Sequence, residues 1–517
     1  VLFGYFLQFI PEIAGGGTIV HSYSWVPSFG VNLDFTLDGL SLLFSLMITG
    51  IGFLVFVYTA AYLKNHKYLD RFYGYLSIFM AAMLGLVLSD NLITLFVFWE
   101  LTSISSFFLI GFNNSNPESR KSAITALAIT GLGGLSLLAG ALVLGSVGGS
   151  YSINELLNSS GEIAASPYYI LIAILIFGAA FTKSAQFPFH FWLPAAMKAP
   201  TPVSTYLHSA TMVKAGIYLL MRMTPVLGNQ EFWNSTLIIV GAITMVYAAI
   251  HTLFRTDLKG ILAYSTISAL GILVFLIGQG TEAALLAAAV FIMVHALYKA
   301  TLFLVTGIID HQTLSRDVTV LRGLRKVMLP VAIAGFLAAI SSAGIPPTIG
   351  FLGKELTYES TLALVGTPLL WIALILITKI LLLHAGFVAG ISPFIGKLPE
   401  RFEKTRKPGF LLWGPPVILS VAGIVFGVFP GIIEGSLIKP VVAAMGQDAG
   451  DQHLQLWHGF NTVLWLSVAT IVIGTILYFT VKPSQKLVNM AARVEFISPE
   501  SIISGLWSLF NKLSSLW

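Results

Sequence analysis

Residues 181–216 read FTKSAQFPFHFWLPAAMKAPTPVSTYLHSATMVKAG, and the rest of the chain is understood from this stretch. An apolar run arrives from Tyr168 and meets Lys183 before it can finish as an ordinary membrane helix. Pro188, Pro194, Pro200 and Pro202 then interrupt the backbone, because proline lacks an N–H and its ring clashes with the preceding turn. A second apolar segment follows, with His208 and Lys214 six residues apart on what the sequence presents as one helix. Ionisable groups at membrane depth cost about 2.5–3.5 kcal/mol each on insertion scales and point to ion or proton paths.

The 517 residues are 56% hydrophobic and 10% charged, with mean hydropathy +0.86. Soluble domains carry about 25% charged residues, so this is an all-α polytopic membrane protein. It has no cysteine, which excludes thiolate-held iron–sulfur clusters, cysteine zinc sites and disulfides. No His/Asp/Glu cluster has metal-site spacing. The glycines of TGLGG (Gly131, Gly133, Gly134) lie within an apolar run and read as close helix packing, not as a phosphate loop. No cofactor is expected. The net charge of +5 follows the membrane topology and is no nucleic-acid footprint. Val1 sits inside half a span (VLFGYFLQFI), which reads as a chain whose N-terminus is missing, without the basic region and cleavage site of a signal peptide.

After residues 1–10, spans are expected near 37–62, 72–89, 91–112, 122–146, 168–186, 203–222, 236–254, 258–278, 281–309, 328–359 (interrupted), 364–391, 412–429 and 458–480, about 14 in all. Alternate loops hold twenty-one of the 28 basic residues, from Lys64 to Lys512 and including Lys198, Arg255 and Lys259; the opposite loops hold only Arg222 and Lys439. The positive-inside rule places the basic loops in the cytoplasm of a cell (plasma) membrane and residues 11–36 outside. The five remaining lysines, 183, 214, 299, 354 and 379, fall inside spans.

Two units of five spans follow one another. Lys183 lies in the fourth span of the first and Lys354 in the fourth of the second, beside KSAQFP and GIPPTIGFLGKE respectively. An odd number of spans inverts the second unit, and inverted repeats with broken helices characterise ion-translocating proteins. The expected organisation is N-terminal helices in 1–71, a first half-channel in 72–222, a second in 223–391, C-terminal helices in 392–480, and an amphipathic lateral helix in 481–517. In that last segment Ser498 and Pro499 supply the cap and first turn, and Ile502, Leu506, Leu509, Phe510, Leu513 and Leu516 form one face.

Glu100, in the middle of LITLFVFWELTSISSFFLIGF, is expected to pair with Lys183 and set its proton affinity, the plainer reading being a structural ion pair. Lysine suits a relay because burial lowers its proton affinity readily, whereas arginine stays charged. Lys183, Lys214, Lys299 and Lys354 are the principal candidates with Glu100 and His208; His251, His295, Lys379 and His384 are secondary, since a lone buried histidine more often serves structure. His295 and Lys299 share a helix face at i, i+4. Asp38 and Asp90 lie at outer helix ends, either as structural caps or as cation-attracting groups at a mouth.

The 183–216 stretch resembles the antiporter-like subunits shared by respiratory complex I and the Mrp multi-subunit Na⁺/H⁺ antiporters. The likeness extends over nearly the whole chain. FWELTS, ATMVKAG, HALYKATLFLVTGIIDHQT (295–313) and LRGLRKVMLP (321–330) favour the large A-subunit branch of the Mrp antiporters over its complex I counterpart. The resemblance implies 14 or more helices in two inverted five-helix units. It makes Glu100 and Lys183 the carboxylate and broken-helix lysine of one half-channel, Lys214 and Lys299 central relays, and Lys354 the broken-helix lysine of the other. It also implies other large and small hydrophobic subunits as partners in a lipid bilayer, H⁺ and Na⁺ as transported ions, pH homeostasis as the role, and no enzymatic activity; the Na⁺ site is not assigned. The rival reading is a proton-pumping, non-redox subunit of complex I or of a membrane-bound hydrogenase. A long C-terminal extension of that branch is not in this sequence.

Overall fold

The computed structural model describes residues 1–492 and 505, apart from residues 27, 29, 30, 365, 449, 451, 452 and 458. Of the segment 481–517, expected as a lateral helix, residues 493–504 and 506–517 lie outside the described residues, and a short helix covers Gln485–Ala492. An antiparallel hairpin, β1 (Ile19–Val26) and β2 (Val31–Leu37), occupies the N-terminal segment before Gly39. The sequence reading left this segment unassigned, because a largely exposed two-stranded ribbon has little apolar alternation to betray it.

The helices that concern the site are α1 (Gly39–Tyr62), α2 (Leu69–Leu88), α3 (Leu92–Ile110), α4 (Pro117–Gly148), α5 (Tyr169–Lys183), α6 (Thr201–Ser209), α7 (Met212–Leu227), α8 (Glu231–Thr252), α9 (Leu258–Gln279), α10 (Glu282–Thr313), α11 (Leu329–Ser342), α12 (Ile349–Leu362), α13 (Pro368–Gly390), α14 (Phe410–Val428) and α15 (Thr462–Thr480). Ten helices among the described residues are long and apolar enough to cross a membrane. The three remaining expected spans, 168–186, 203–222 and 328–359, hold the shorter helices α5, α6, α7, α11 and α12.

Polar caps set the helix starts. Asp38 accepts from Ser41 N–H while Ser41 Oγ accepts from Asp38 N–H, a reciprocal cap on α1. The same carboxylate takes a two-pronged pair from Arg222 of α7, at 2.5 and 2.9 Å. Asp90 accepts from Ser152 Oγ and from Asn154 N–H. Both acids are therefore engaged inside the fold, in keeping with the structural alternative of the two expected.

Two helices form the centre: within α9 and α10 the most apolar windows are 94% buried in protein. Helix α10 touches α6, α9, α11, α12 and α14. Helices α8 and α9 lie backbone to backbone, since a Cβ at Gly241 would sit 2.5 Å from Phe275 N and one at Gly271 2.5 Å from Met245 N. The outer helices α4 and α15 keep large apolar side chains such as Leu132, Leu135, Trp465 and Ile476 exposed, as a lipid-facing surface requires.

Candidate functional site

The first break runs from Ser184 to Pro200 and holds only short helical turns, with a cis bond before Pro188. Helix α6 then begins at Thr201 and stops at Ser209; Ala210 and Thr211 are non-helical, and α7 restarts at Met212. His208 and Lys214 thus belong to two helices, not to the single one expected. Thr211 Oγ1 donates to Tyr206 O across the gap, so hydroxyls replace part of the lost backbone ladder.

Lys183 closes the last turn of α5, completely buried. Its ammonium donates to Ser103 Oγ at 2.8 Å and to Trp99 O at 3.2 Å, both on α3. Glu100 lies on the same helix but is not in ion-pair contact with Lys183. Its Oε1 is buried against α4 without a hydrogen-bond partner, where a Cβ at Gly134 would sit 1.6 Å from it. The two charges still act on each other through the protein. The expected pair is therefore a second-neighbour arrangement, corrected because Ser103 and the Trp99 carbonyl reach the ammonium first. The reading of Gly133 and Gly134 as packing residues agrees with the structure: a Cβ at Gly133 would meet Thr182 Oγ1 at 1.9 Å.

Further in, three buried groups converge on α10. Lys214 of α7 donates to Ile292 O at 2.8 Å. Lys299 donates to Ser265 Oγ of α9 at 2.6 Å, with Leu262 O at 3.4 Å. His295 stands between them, one turn from Ile292 and from Lys299, within the field of both lysines, and neither ring nitrogen has a hydrogen-bond partner. Lys379 of α13 places its ammonium 4.2 Å from the Phe291 ring centroid. Residues 291–299 of α10 are thus met by lysines from both α7 and α13.

The second break is short, from Ala343 to Thr348, with a cis bond between Pro346 and Pro347. The expected irregular stretch reached Glu355, but the helix resumes at Ile349, so Lys354 lies inside α12. Its ammonium is buried, has no hydrogen-bond partner and lies 5.5 Å from the Phe351 ring; it feels Glu355, and Lys379 in turn feels it. Beyond it a cavity of about 80 Å³ opens between α12 and the 453–463 segment, lined by Glu355, Glu359, His453 and Asn461.

The other candidates sit apart. His208 is fully buried on α6 with both ring nitrogens unpartnered, between Trp192 and Phe303. His251 stacks on Tyr247 and Tyr264, donates to Tyr247 O, and has His190 close by. His384 donates from Nε2 to Val481 O at 2.8 Å, tying α13 to the chain that leaves α15. Sequence reasoning missed Ser103, Ser265 and the carbonyl of Ile292, since a helical serine or a backbone oxygen carries no distinctive signal. It missed His190 for want of a periodic context. It also placed Lys259 in a loop, whereas that lysine is 2% exposed in the first turn of α9 and donates to Ala199 O at 2.9 Å.

Residues 89–382 match the family described as NADH:quinone oxidoreductase/Mrp antiporter, transmembrane, and residues 24–73 match the complex I chain 5 N-terminal family. A Na⁺/H⁺ antiporter subunit A1 of Staphylococcus saprophyticus is 44% identical over 508 residues, which is 93% of this chain and 63% of the relative. The subunit A1 of Staphylococcus aureus strain Newman is 41% identical over 507 residues, with the same coverage. A chain in the structure of the Mrp complex from a Dietzia species superposes with TM-score 0.82 at 35% identity, covering 100% of this chain and 59% of that one. The chain thus spans under two thirds of the length of these relatives. The broken helices, the buried lysines that meet α10 and the match over residues 89–382 lead to one conclusion: the chain belongs to the transmembrane family of NADH:quinone oxidoreductases and Mrp antiporters.

Proposed function

We propose that the chain is the proton-translocating part of a multi-subunit Na⁺/H⁺ antiporter of the Mrp type. The carrying observation is the row of buried, titratable side chains that meets at residues 291–299 of α10: Lys214, His295, Lys299 and Lys379. Lys183 with Glu100 flanks it at one broken helix and Lys354 at the other. An ammonium held by a serine and a carbonyl, or by none, can release its proton at modest cost. A guanidinium in its place could not. The subunit A1 names of the relatives favour antiport over a role in a redox enzyme.

In this reading residues 72–222 and 223–391 form two inverted five-helix half-channels, flanked by helices in 1–71 and 392–480, for about 14 spans. The basic loops face the cytoplasm of the plasma membrane. Protons enter one half-channel, pass along the lysines and histidines, and leave by the other. Inward proton flow drives Na⁺ efflux with the help of other large and small hydrophobic subunits and without a bound redox cofactor.

The test is Na⁺-dependent proton movement in everted vesicles that carry the complete complex, wild type against Lys183→Ala. Exchange at least tenfold lower, in a complex that assembles normally, is the expected result. Unchanged exchange would return Lys183 to a structural role. No Na⁺-linked exchange in the wild type would transfer the chain to the redox-complex reading.

A further inference from the structure

We propose that Lys259 is the relay residue that links the basic-loop face of the protein to His208 and so to the row along α10. This rests on the reading of the chain as a proton-conducting subunit. Lys259 is the second residue of α9, just past the Asp257 cap, and its ammonium reaches Ala199 O at the end of the first break. It makes no ion pair among the described residues, although charged groups surround it. Outward lie Asp257 and Arg316, paired at 2.9 Å, and Asp310 of α10, 4.0 Å from Arg316. On the other side α9 packs against α6, which carries His208, and the two charges act on each other.

The half-helix between them is polar along one face. Ser204 and His208 are one turn apart on α6, both fully buried, and Ser204 Oγ and both imidazole nitrogens lack hydrogen-bond partners. Thr306 Oγ1, on the neighbouring α10, is likewise unpartnered. A buried polar group left dry is costly. Three of them, on two helices that touch α9, mark a route that water or a passing proton satisfies.

The transfer is reversible. A proton leaves Lys259 Nζ, giving a neutral amine, and arrives on an imidazole nitrogen of His208, giving imidazolium. The amine then takes a proton from water at the Asp257–Arg316–Asp310 face. The competing explanation is a staple, in which Lys259 only pins the break to α9 through Ala199.

The experiment uses the complete complex in everted vesicles, with the medium pH varied at the basic-loop face. Lys259→Ala is expected to lower exchange at least tenfold with normal assembly; exchange within twofold of wild type overturns the proposal. If that variant does not assemble, Lys259→His decides. An imidazole titrates near 6.5 and a lysine near 10.4, so a relay would retain some exchange with its pH profile moved to lower pH. A staple would leave the profile where it was, and that outcome overturns the proposal. Loss in Lys183→Ala but not in Lys259→Ala defeats this assignment alone, whereas no loss in Lys183→Ala defeats the parent reading.

Discussion

The two broken helices hold their lysines in opposite ways. Lys183 ends the half-helix α5, where the unpaired carbonyls of a helix C-terminus favour a cation, and its ammonium has two hydrogen-bond acceptors on α3. Lys354 lies in the second turn of α12, on the N-terminal side of its half-helix, and its ammonium has none. The nearest carboxylates differ too. Glu100 comes from another helix and points at Gly134, whereas Glu355 is the next residue in the chain. The backbone differs in the same sense: the first break tolerates Ala185 at φ +49°, and the second uses Gly344 at φ +64°. The first ammonium is thus hydrogen-bonded and the second is not. A small cavity lined by Glu355, Glu359 and His453 lies near the second site.

The largest expected effect separates stability from transport. Lys183→Met removes the donor to Ser103 Oγ, while Trp99 O keeps Thr102 Oγ1, and should cost about 1–3 kcal/mol. Lys354→Met removes a buried ammonium that has no hydrogen bond, so thermal unfolding of the purified complex should show no loss, or a gain. Both variants should lose exchange at least tenfold. The reverse order of stabilities would break the comparison.

A smaller effect comes from the breaks. Gly344→Ala forces an L side chain into the left-handed region, at about 1–2 kcal/mol, and sets its Cβ 2.9 Å from Lys354 Cδ. Exchange should fall several-fold along with the melting temperature. Ala185→Gly at the first break should be neutral or slightly stabilising, and equal losses at both positions would show that the breaks are interchangeable.

The smallest effect concerns the segment that borders the cavity. Burial works against ionisation of Glu434, but Leu454 N–H, His453 and Lys439 together hold its carboxyl below the usual range. Its contribution is therefore complete above the ordinary glutamate value near 4.3 and is lost as pH falls through the lowered one. Glu434→Gln should lower stability slightly above about pH 6, where the contribution is complete, and converge with wild type at low pH, so that the acid limb flattens; an unaltered acid limb would remove Glu434 from this account.

Legibility in the sequence followed physical cause. Long apolar runs, the alternation of basic loops, and a lysine beside a proline break are local signals, and they located the spans and the five intramembrane lysines. The gap at Ala210–Thr211 was hidden because neither residue is a strong helix breaker. Lys259 was misplaced because a lysine in the first turn of a span looks the same whether it faces solvent or a neighbouring helix.

The sequence by itself determined that the chain is a bundle of membrane helices with rare, costly charges inside it, since hydropathy and the price of burying a lysine depend only on which residues are present and in what order. The tertiary structure decided the rest. It chose Ser103 and Trp99 O over Glu100 as the partners of Lys183, brought Lys214 and Lys379 to the neighbouring positions Ile292 and Phe291 of α10, and turned Lys259 towards Ala199. Those choices depend on which helix faces pack together, and a hydrogen bond falls off within a few tenths of an ångström, so no reading of the chain in one dimension contains them.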